Sequence, residues 1–284
     1  MSDHAILLVS CPDRRGITAA ISNFVSGHQG NIIHADQHID DQSNIFFMRI
    51  EWSLDGFSIP KDLIAEEFTE LADRFGMEWN LYFRDDRINA AIFVSRHLHC
   101  LYDLLYRVRG GELTCRVPVI LSNHSDAAGI AEDFGIEYIV TPVTPENKAE
   151  QEVRQRQILA ERGIELVVLA RYHQILSPEF VDAYPNRIIN IHHSFLPAFP
   201  GQNPYARAYK KGVKIIGATS HFVTAELDEG PIIEQDTVRV SHSDSLQRLK
   251  EKGSDLERVV LSRAVRWYLE RKILCYNHKT VVFD

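Results

Sequence analysis

Residues 190–205 read NIHHSFLPAFPGQNPY, so the apolar run RIINI ends in an asparagine and two histidines before a loop with three prolines and one glycine. A buried strand has little use for such groups at its end; an active site has much. Asn190 donates amide N–H groups and cannot titrate, which suits an oxyanion developing on a carbonyl carbon. Farther along, AELDEGP places Asp228 in a turn whose backbone is set by Gly230 and Pro231. A carboxylate beside an imidazole favours its protonated form, and an Asp228–His192 pair would supply both an acid and a base. Together the three would serve acyl or formyl transfer without a covalent enzyme intermediate. On spacing alone a plainer reading stands beside this one: Asn190 caps a turn, His192 satisfies a carbonyl, and Asp228 is a solvated turn acid. No metal site is expected. Adjacent His192 and His193 point to opposite sides of a strand, no third ligand has a fitting spacing, and His97-x-His99 is an isolated pair.

The elements that must position these residues are legible in the hydrophobic pattern. In residues 1–84 the strand AILLVS precedes the amphipathic run ITAAISNFVSGHQG, opened by Gly16. NIIHADQHI and IFFMRIEW follow, the latter alternating at Phe46, Met48, Ile50 and Trp52 with the strand period of two. KDLIAEEFTELADRFG puts Leu63, Ile64, Phe68 and Leu71 on one helix face, and MEWNLYF closes the set. The order βαββαβ predicts a ferredoxin-like sheet with two helices on one side. RDDRI, residues 84–88, reads as a charged hinge.

Beyond it strands alternate with helical runs. NAAIFVS precedes HCLYDLLYRV, CRVPVILSN precedes DAAGIAEDFG, and IEYIVTPV precedes ENKAEQEVRQRQILAERG. IELVVLA and RIINIH are apolar in the manner of strands covered on both faces. Residues 85–284 are therefore expected to form a doubly wound, mostly parallel α/β domain, extended by the antiparallel or mixed strands KIIGATSHFVT and PIIEQDTVRV. In such sheets ligands sit at the carboxyl ends of the strands, near a change in strand order. RIINIHH, VVLARYHQILS and the loop after SHFVT all end in that region.

The composition narrows the function. A formal charge of −8 with no basic stretch argues against binding nucleic acid through its phosphates. No apolar run is long enough to span a bilayer and no leader pattern opens the chain, so no membrane partner is expected. Cys11, Cys100, Cys115 and Cys275 are scattered, with no C-x-x-C, and read as reduced thiols of a cytoplasmic protein.

Asn190-Ile191-His192, then Ser194, Leu196-Pro197 and Gly201, resembles the N-I-H-x-S-x-L-P-x-x-x-G signature of enzymes that handle 10-formyltetrahydrofolate. LDEGP at 227–231 is similar to their second motif, and LARYHQILSPEF to the segment whose backbone grips the pterin ring. HCLYDLLYR, PVTPENKAEQE, GATSHFVTAELDEGPIIEQDTVRVSH and KTVVF resemble the hydrolytic branch, the formyltetrahydrofolate deformylases. His193 stands where glycinamide ribonucleotide transformylases usually carry proline. The first strand of this half runs into SRHLHCLYD, with no glycine to bring the backbone against an acceptor's phosphate. Residues 1–84 resemble an ACT domain, with CPDRRGI and GNI at its usual ligand-loop positions.

The resemblance implies an ACT domain followed by a Rossmann-like formyltransferase domain. It also implies hydrolysis of 10-formyltetrahydrofolate to tetrahydrofolate and formate, the formate serving purine synthesis and the balance of one-carbon folate pools. Asn190, His192 and Asp228 would be catalytic; His173, Gln174, Ile175, Leu176, His193 and Val223 would bind the folate; no cofactor or metal is called for. Asp13, Gly16, Asn31 and Ile32 would hold a small effector, an amino acid, unless that domain serves only to pair copies. A homo-oligomer, dimer or tetramer, is expected. Two alternatives stay open: a formyltransferase using the same donor, and a non-catalytic folate or amino-acid sensor.

Overall fold

The computed structural model describes residues 3–197 and 204–284. Gly201 of the quoted signature lies outside the described residues. Contacts divide the chain into two units. One holds the residues up to Arg87 with Glu270–Tyr276 and Val281–Asp284; the other holds Ile88–Leu269 with Asn277–Thr280.

In the first unit β1 (His4–Pro12), β2 (Asn31–Asp40), β3 (Ile45–Ser53) and β4 (Glu78–Phe83) form an antiparallel sheet in the order β2-β3-β1-β4. Helix α1 (Ile17–Gly27) buries Ile17, Ile21 and Val25, and α2 (Ile64–Phe75) buries Ile64, Phe68 and Ala72. Each trio is spaced one turn apart, so each helix lays a single apolar stripe on the sheet. The stripes meet Phe46, Met48, Ile50 and Trp52 of β3. Leu63 does not share this face: it sits in a 3₁₀ turn, Lys61–Leu63, ahead of α2 and is exposed.

The alternation expected for β3 is only half of what is found. Phe47, Arg49 and Glu51 on the other face are buried as well, because Leu274, Tyr276, Val281 and Phe283 of the C-terminal hairpin cover Phe47 and Leu8. The Phe47 and Tyr276 rings lie 4.4 Å apart. This apolar cover is why the end of the chain clusters with the first unit rather than with the rest of 85–284. On the same face Glu51 accepts a hydrogen bond from Arg49 at 2.9 Å, and its other oxygen lies 2.8 Å from His4 Nδ1 and 3.3 Å from Arg84. Arg49 also donates to the carbonyls of Glu270 and Arg271. Burial pushes the Glu51 carboxyl up, but the hydrogen bonds from His4 and Arg49 and the arginine charges outweigh it and leave it below its ordinary value.

The second unit is built on a seven-stranded sheet of β5 (Asn89–Val94), β6 (Arg116–Ser122), β7 (Glu137–Val140), β8 (Ile164–Ala170), β9 (Ile188–His192), β10 (Ile215–Phe222) and β11 (Ile232–Arg239). The order is β11-β10-β9-β8-β5-β6-β7, parallel from β7 to β9 and antiparallel at β10 and β11. The chain builds outward from β5 to β7, then returns to the other side of β5 for β8. That reversal places a switch point between β5 and β8, at whose carboxyl ends a crevice opens. Helices α3 (His99–Arg109), α4 (Ala128–Phe134), α5 (Lys148–Glu161), α6 (Pro178–Asp182) and α7 (Pro204–Lys211) follow the strands. Ile158 and Leu159 of α5 and Phe180 of α6 close one face over Phe93, Val119 and Val167. The closing helix α8 (Leu246–Leu269), 24 residues long, is an element the sequence reading omits. It packs on α3, β10 and β11 through Leu256, Val260, Leu261 and Ala264. Cys11, Cys100 and Cys115 are buried, Cys275 is partly so, and all four are free thiols. Among the described residues no helix is long and apolar enough to cross a membrane.

Because Glu51 has its lower pKa in the folded state, its contribution to stability is complete above the ordinary value of 4.5 and is lost as pH falls from there through the lower folded value. Glu51→Ala should cost the first unit about 3 kcal/mol at pH 7, since it strands the buried Arg49. The gap from wild type should narrow at pH 3.5. Urea unfolding followed by the fluorescence of Trp52 and Trp79 measures both.

Candidate active site

Strand β9 carries Asn190 and His192 at its carboxyl end, and antiparallel β10 sets His221 opposite Asn190 and Thr219 opposite His192. A bulge between Ser220 and His221 breaks the β10–β11 ladder there, the usual means of re-aiming a side chain next to a site. The connection 223–231 then folds back over β9. Asp228 takes a left-handed conformation, φ 59°, which aspartate tolerates. Gly230 is required for the fold-back: a Cβ there would lie 1.8 Å from the Phe222 carbonyl oxygen.

This return brings Asp228 Oδ2 to 3.2 Å from His192 Nδ1. Burial raises the Asp228 carboxyl, but the hydrogen bond and charge of His192, with His221 and His193 behind it, hold it below its ordinary value. With Nδ1 turned to Asp228, Nε2 of His192 is left buried without a hydrogen-bond partner. Asn190 is oriented from the other side. His221 Nδ1 lies 2.8 Å from the Phe222 carbonyl, which can only accept, so Nδ1 carries the proton and Nε2 is the acceptor. The amide Nδ2 of Asn190, 3.2 Å away, therefore donates to it, with one amide N–H still to give. Burial is the main reason the His221 imidazole is depressed, which keeps that acceptor available.

Asn190, His192, His193 and Asp228 line one cavity of about 470 Å³, a size that holds a drug-sized ligand. His193 corrects the expectation that the two histidines face opposite ways. It lies just past the last residue of β9, so strand alternation no longer governs it, and its ring comes to 5.2 Å from that of His192. His173, Gln174, Ile175, Leu176 and Val223 line the same cavity. Residues 173–176 lie between β8 and α6, outside any regular element. The segment is pinned at one end by His173 N–H donating to Ser95 Oγ, 3.1 Å, and at the other by Ser177 N–H donating to Glu152, 3.1 Å. Burial first and Arg171 second push His173 down to about 4.

The four residues expected to hold an effector are not brought together in this way. Asp13 and Gly16 precede α1, whose 11 residues span about 16 Å, and Asn31 and Ile32 follow it. The sheet register agrees: Pro12 faces Ile45 and Asn31 faces Ser53, at opposite ends of β3.

Residues 88–265 match the Formyl transferase family, and residues 5–73 the ACT domain family. The formyltetrahydrofolate deformylase of Synechocystis sp. is 54% identical over 98% of this chain and 98% of its own length; that of Bacillus subtilis is 47% identical over 99% and 94%. The chain belongs to the formyltetrahydrofolate deformylase family. The crystal structure of the deformylase from Pseudomonas syringae pv. tomato matches with a TM-score of 0.97 at 43% identity, over 100% of this chain and 95% of that one.

The deformylase cavity also contains groups that sequence reasoning missed. His221, within SHFVT, stands on a strand aimed at the site. Arg171, in ARYHQ, lines the cavity with φ 64°, and His97 lies beside it with its ring 5.5 Å from that of His173. A non-glycine residue held in the left-handed region has no sequence mark. Gly230→Ala should drive the turn off Phe222 and carry Asp228 away from His192. A displacement of that order costs ~10²-fold in deformylase turnover, with far-ultraviolet circular dichroism unchanged. Turnover within threefold of wild type would show that the turn has slack.

Proposed function

We propose that this protein hydrolyses 10-formyltetrahydrofolate to tetrahydrofolate and formate. The observation that carries the reading is the pairing of the orphaned, buried Nε2 of His192 with the spare amide N–H of Asn190 on one cavity, backed by Asp228 on the other imidazole nitrogen. A buried polar atom without a partner is costly unless a ligand supplies one. The formyl oxygen is such a ligand, and its partial charge grows as the carbon becomes tetrahedral, so both donors bind the transition state more tightly than the substrate.

In the imidazolium form His192 donates from both nitrogens, Nδ1 to Asp228 and Nε2 to the oxyanion. Asp228 orients or deprotonates the attacking water. The water oxygen bonds to the formyl carbon, the C–N bond breaks, and the folate nitrogen takes a proton relayed through the Asp228–His192 pair. The pterin is held by main-chain groups of Gln174, Ile175 and Leu176, whose segment is anchored at its ends and so presents a preformed edge; His173, His193 and Val223 complete the walls. No step calls for a metal or cofactor. The formate would serve purine synthesis and the balance of one-carbon folate pools. The N-terminal unit, an ACT domain, would take an amino-acid effector between copies of a dimer or tetramer, consistent with its two loops lying at opposite ends of α1. The thiols, free and mostly buried, fit work in the cytoplasm.

Purified protein should release formate from 10-formyltetrahydrofolate with no amine acceptor, and a chelator should leave the rate unchanged. Asn190→Ala should lower kcat by ~10²–10³-fold, the loss expected for one oxyanion donor, and Asp228→Ala by at least as much. Full turnover by the Asn190 variant would remove that residue from the mechanism.

A further inference from the structure

Glu257 of α8 is 1% exposed and takes no part in the pair described above. Tyr205 donates its hydroxyl to this carboxylate at 2.6 Å, His99 Nε2 stands 2.8 Å away and Arg171 Nε 3.4 Å. Burial pushes the carboxyl up, but the hydrogen bond from His99 and the charge of Arg171 dominate and hold it at about 2. The fold makes room for the arrangement. Gly253 lies one turn earlier on α8, and a Cβ there would stand 2.1 Å from the Tyr205 hydroxyl oxygen. The group does not suit a metal, although His99, Cys100 and Glu257 have ligand atoms within 4.8 Å of one another. The Arg171 guanidinium already meets the carboxylate, and burial keeps the Cys100 thiol protonated.

A charge held in this way costs desolvation, and its partners lead to the cavity by two routes. Arg171 lines the cavity itself. The Tyr205 ring packs 5.8 Å from the ring of His193, which lines the cavity beside His192. We propose that His193 is a further catalytic residue, the group that holds the attacking water against the formyl carbon, and that Tyr205 and Glu257 are its positioning residues. The proposal rests on the hydrolytic reading above.

The state of His193 suits the task. Burial, and after it the charge of Arg171, depress its pKa to about 3, so the imidazole is neutral and one ring nitrogen keeps its lone pair at any working pH. Glu257 acts in the opposite sense, and His192 and His173 add to the depression. A nitrogen so weakly basic accepts a hydrogen bond from water and turns the oxygen lone pair toward carbon, but it does not keep the proton. The balance is unchanged: water's oxygen bonds to the formyl carbon, its proton goes to Asp228, and the electrons of the broken C–N bond stay on the folate nitrogen, which is protonated. Tyr205, fixed at its hydroxyl, holds the ring by packing and leaves the nitrogens for water.

The test measures kcat and KM for formate release, with tetrahydrofolate affinity by fluorescence as an independent measure of the folate site. His193→Ala should lose ~10²-fold in kcat, a loss well beyond any in its affinity for tetrahydrofolate, and regain turnover when imidazole is added. Tyr205→Phe keeps the ring and cuts the tether; it should lose about tenfold in kcat with KM unchanged, a split that a purely structural role would not give. Glu257→Gln should follow it, and if that variant fails to fold, Tyr205→Phe still decides. A His193→Ala kcat within threefold of wild type, or a loss confined to KM and affinity, overturns the role of His193 alone. Absence of formate from the wild type overturns the hydrolytic reading and this inference with it.

Discussion

The hydrogen bond between His192 Nδ1 and Asp228 Oδ2 constrains most of what surrounds it. The carboxylate is only 13% exposed, so it is ionised there only because the imidazole offsets the desolvation. Meeting that imidazole demands a particular path. Strand β10 must run antiparallel to β9, its ladder must break at Ser220/His221, and the following connection must fold back across the strand it has just left. At Gly230 backbone presses on backbone, and a single methyl group there would force the turn open. The geometry of the site is thus a property of the sheet's antiparallel extension, while the helices serve to hold that sheet in place.

Around the pair the cavity wall is rich in imidazoles that carry no charge. His97, His173, His193 and His221 are all depressed, in each case chiefly by burial. For the first three the charge of Arg171 adds to the effect. Arg171 in turn meets Glu257, the buried carboxylate of α8. The result is a pocket in which these imidazoles are held neutral, with Arg171 and Asp228 as charged groups on its wall. In such buried surroundings the donors of Asn190 and His192 act on a developing oxyanion at the strength that a low dielectric allows.

The first unit follows different physics. Its polar cluster, Glu51 with His4, Arg49 and Arg84, ties strand β3 to the carbonyls of the C-terminal segment. Apolar residues far apart in sequence, Leu8 and Phe47 with Val281 and Phe283, close the face of the sheet that the two helices leave open. In this half the two loops lie at opposite ends of α1.

What the sequence by itself determined is local. Period-two and period-3.6 patterns marked the strands of both sheets and the apolar stripes of α1 and α2, and the chemistry of Asn190, His192 and Asp228 follows from their side chains alone. Patterns fail where burial comes from distant chain. Both faces of β3 are covered because the C-terminal hairpin returns to it, and Leu63 escapes burial because a 3₁₀ turn takes it off the helix face. The tertiary structure alone decided which polar groups meet. His193 joins His192 because it lies past the end of β9, beyond the reach of strand alternation. His221 became a partner of Asn190 through an antiparallel register, and Glu257 became the anchor of Arg171 and Tyr205 through the docking of α8. Spacing along a chain records periodicity within one element; it carries no measure of which elements the sheet will set side by side.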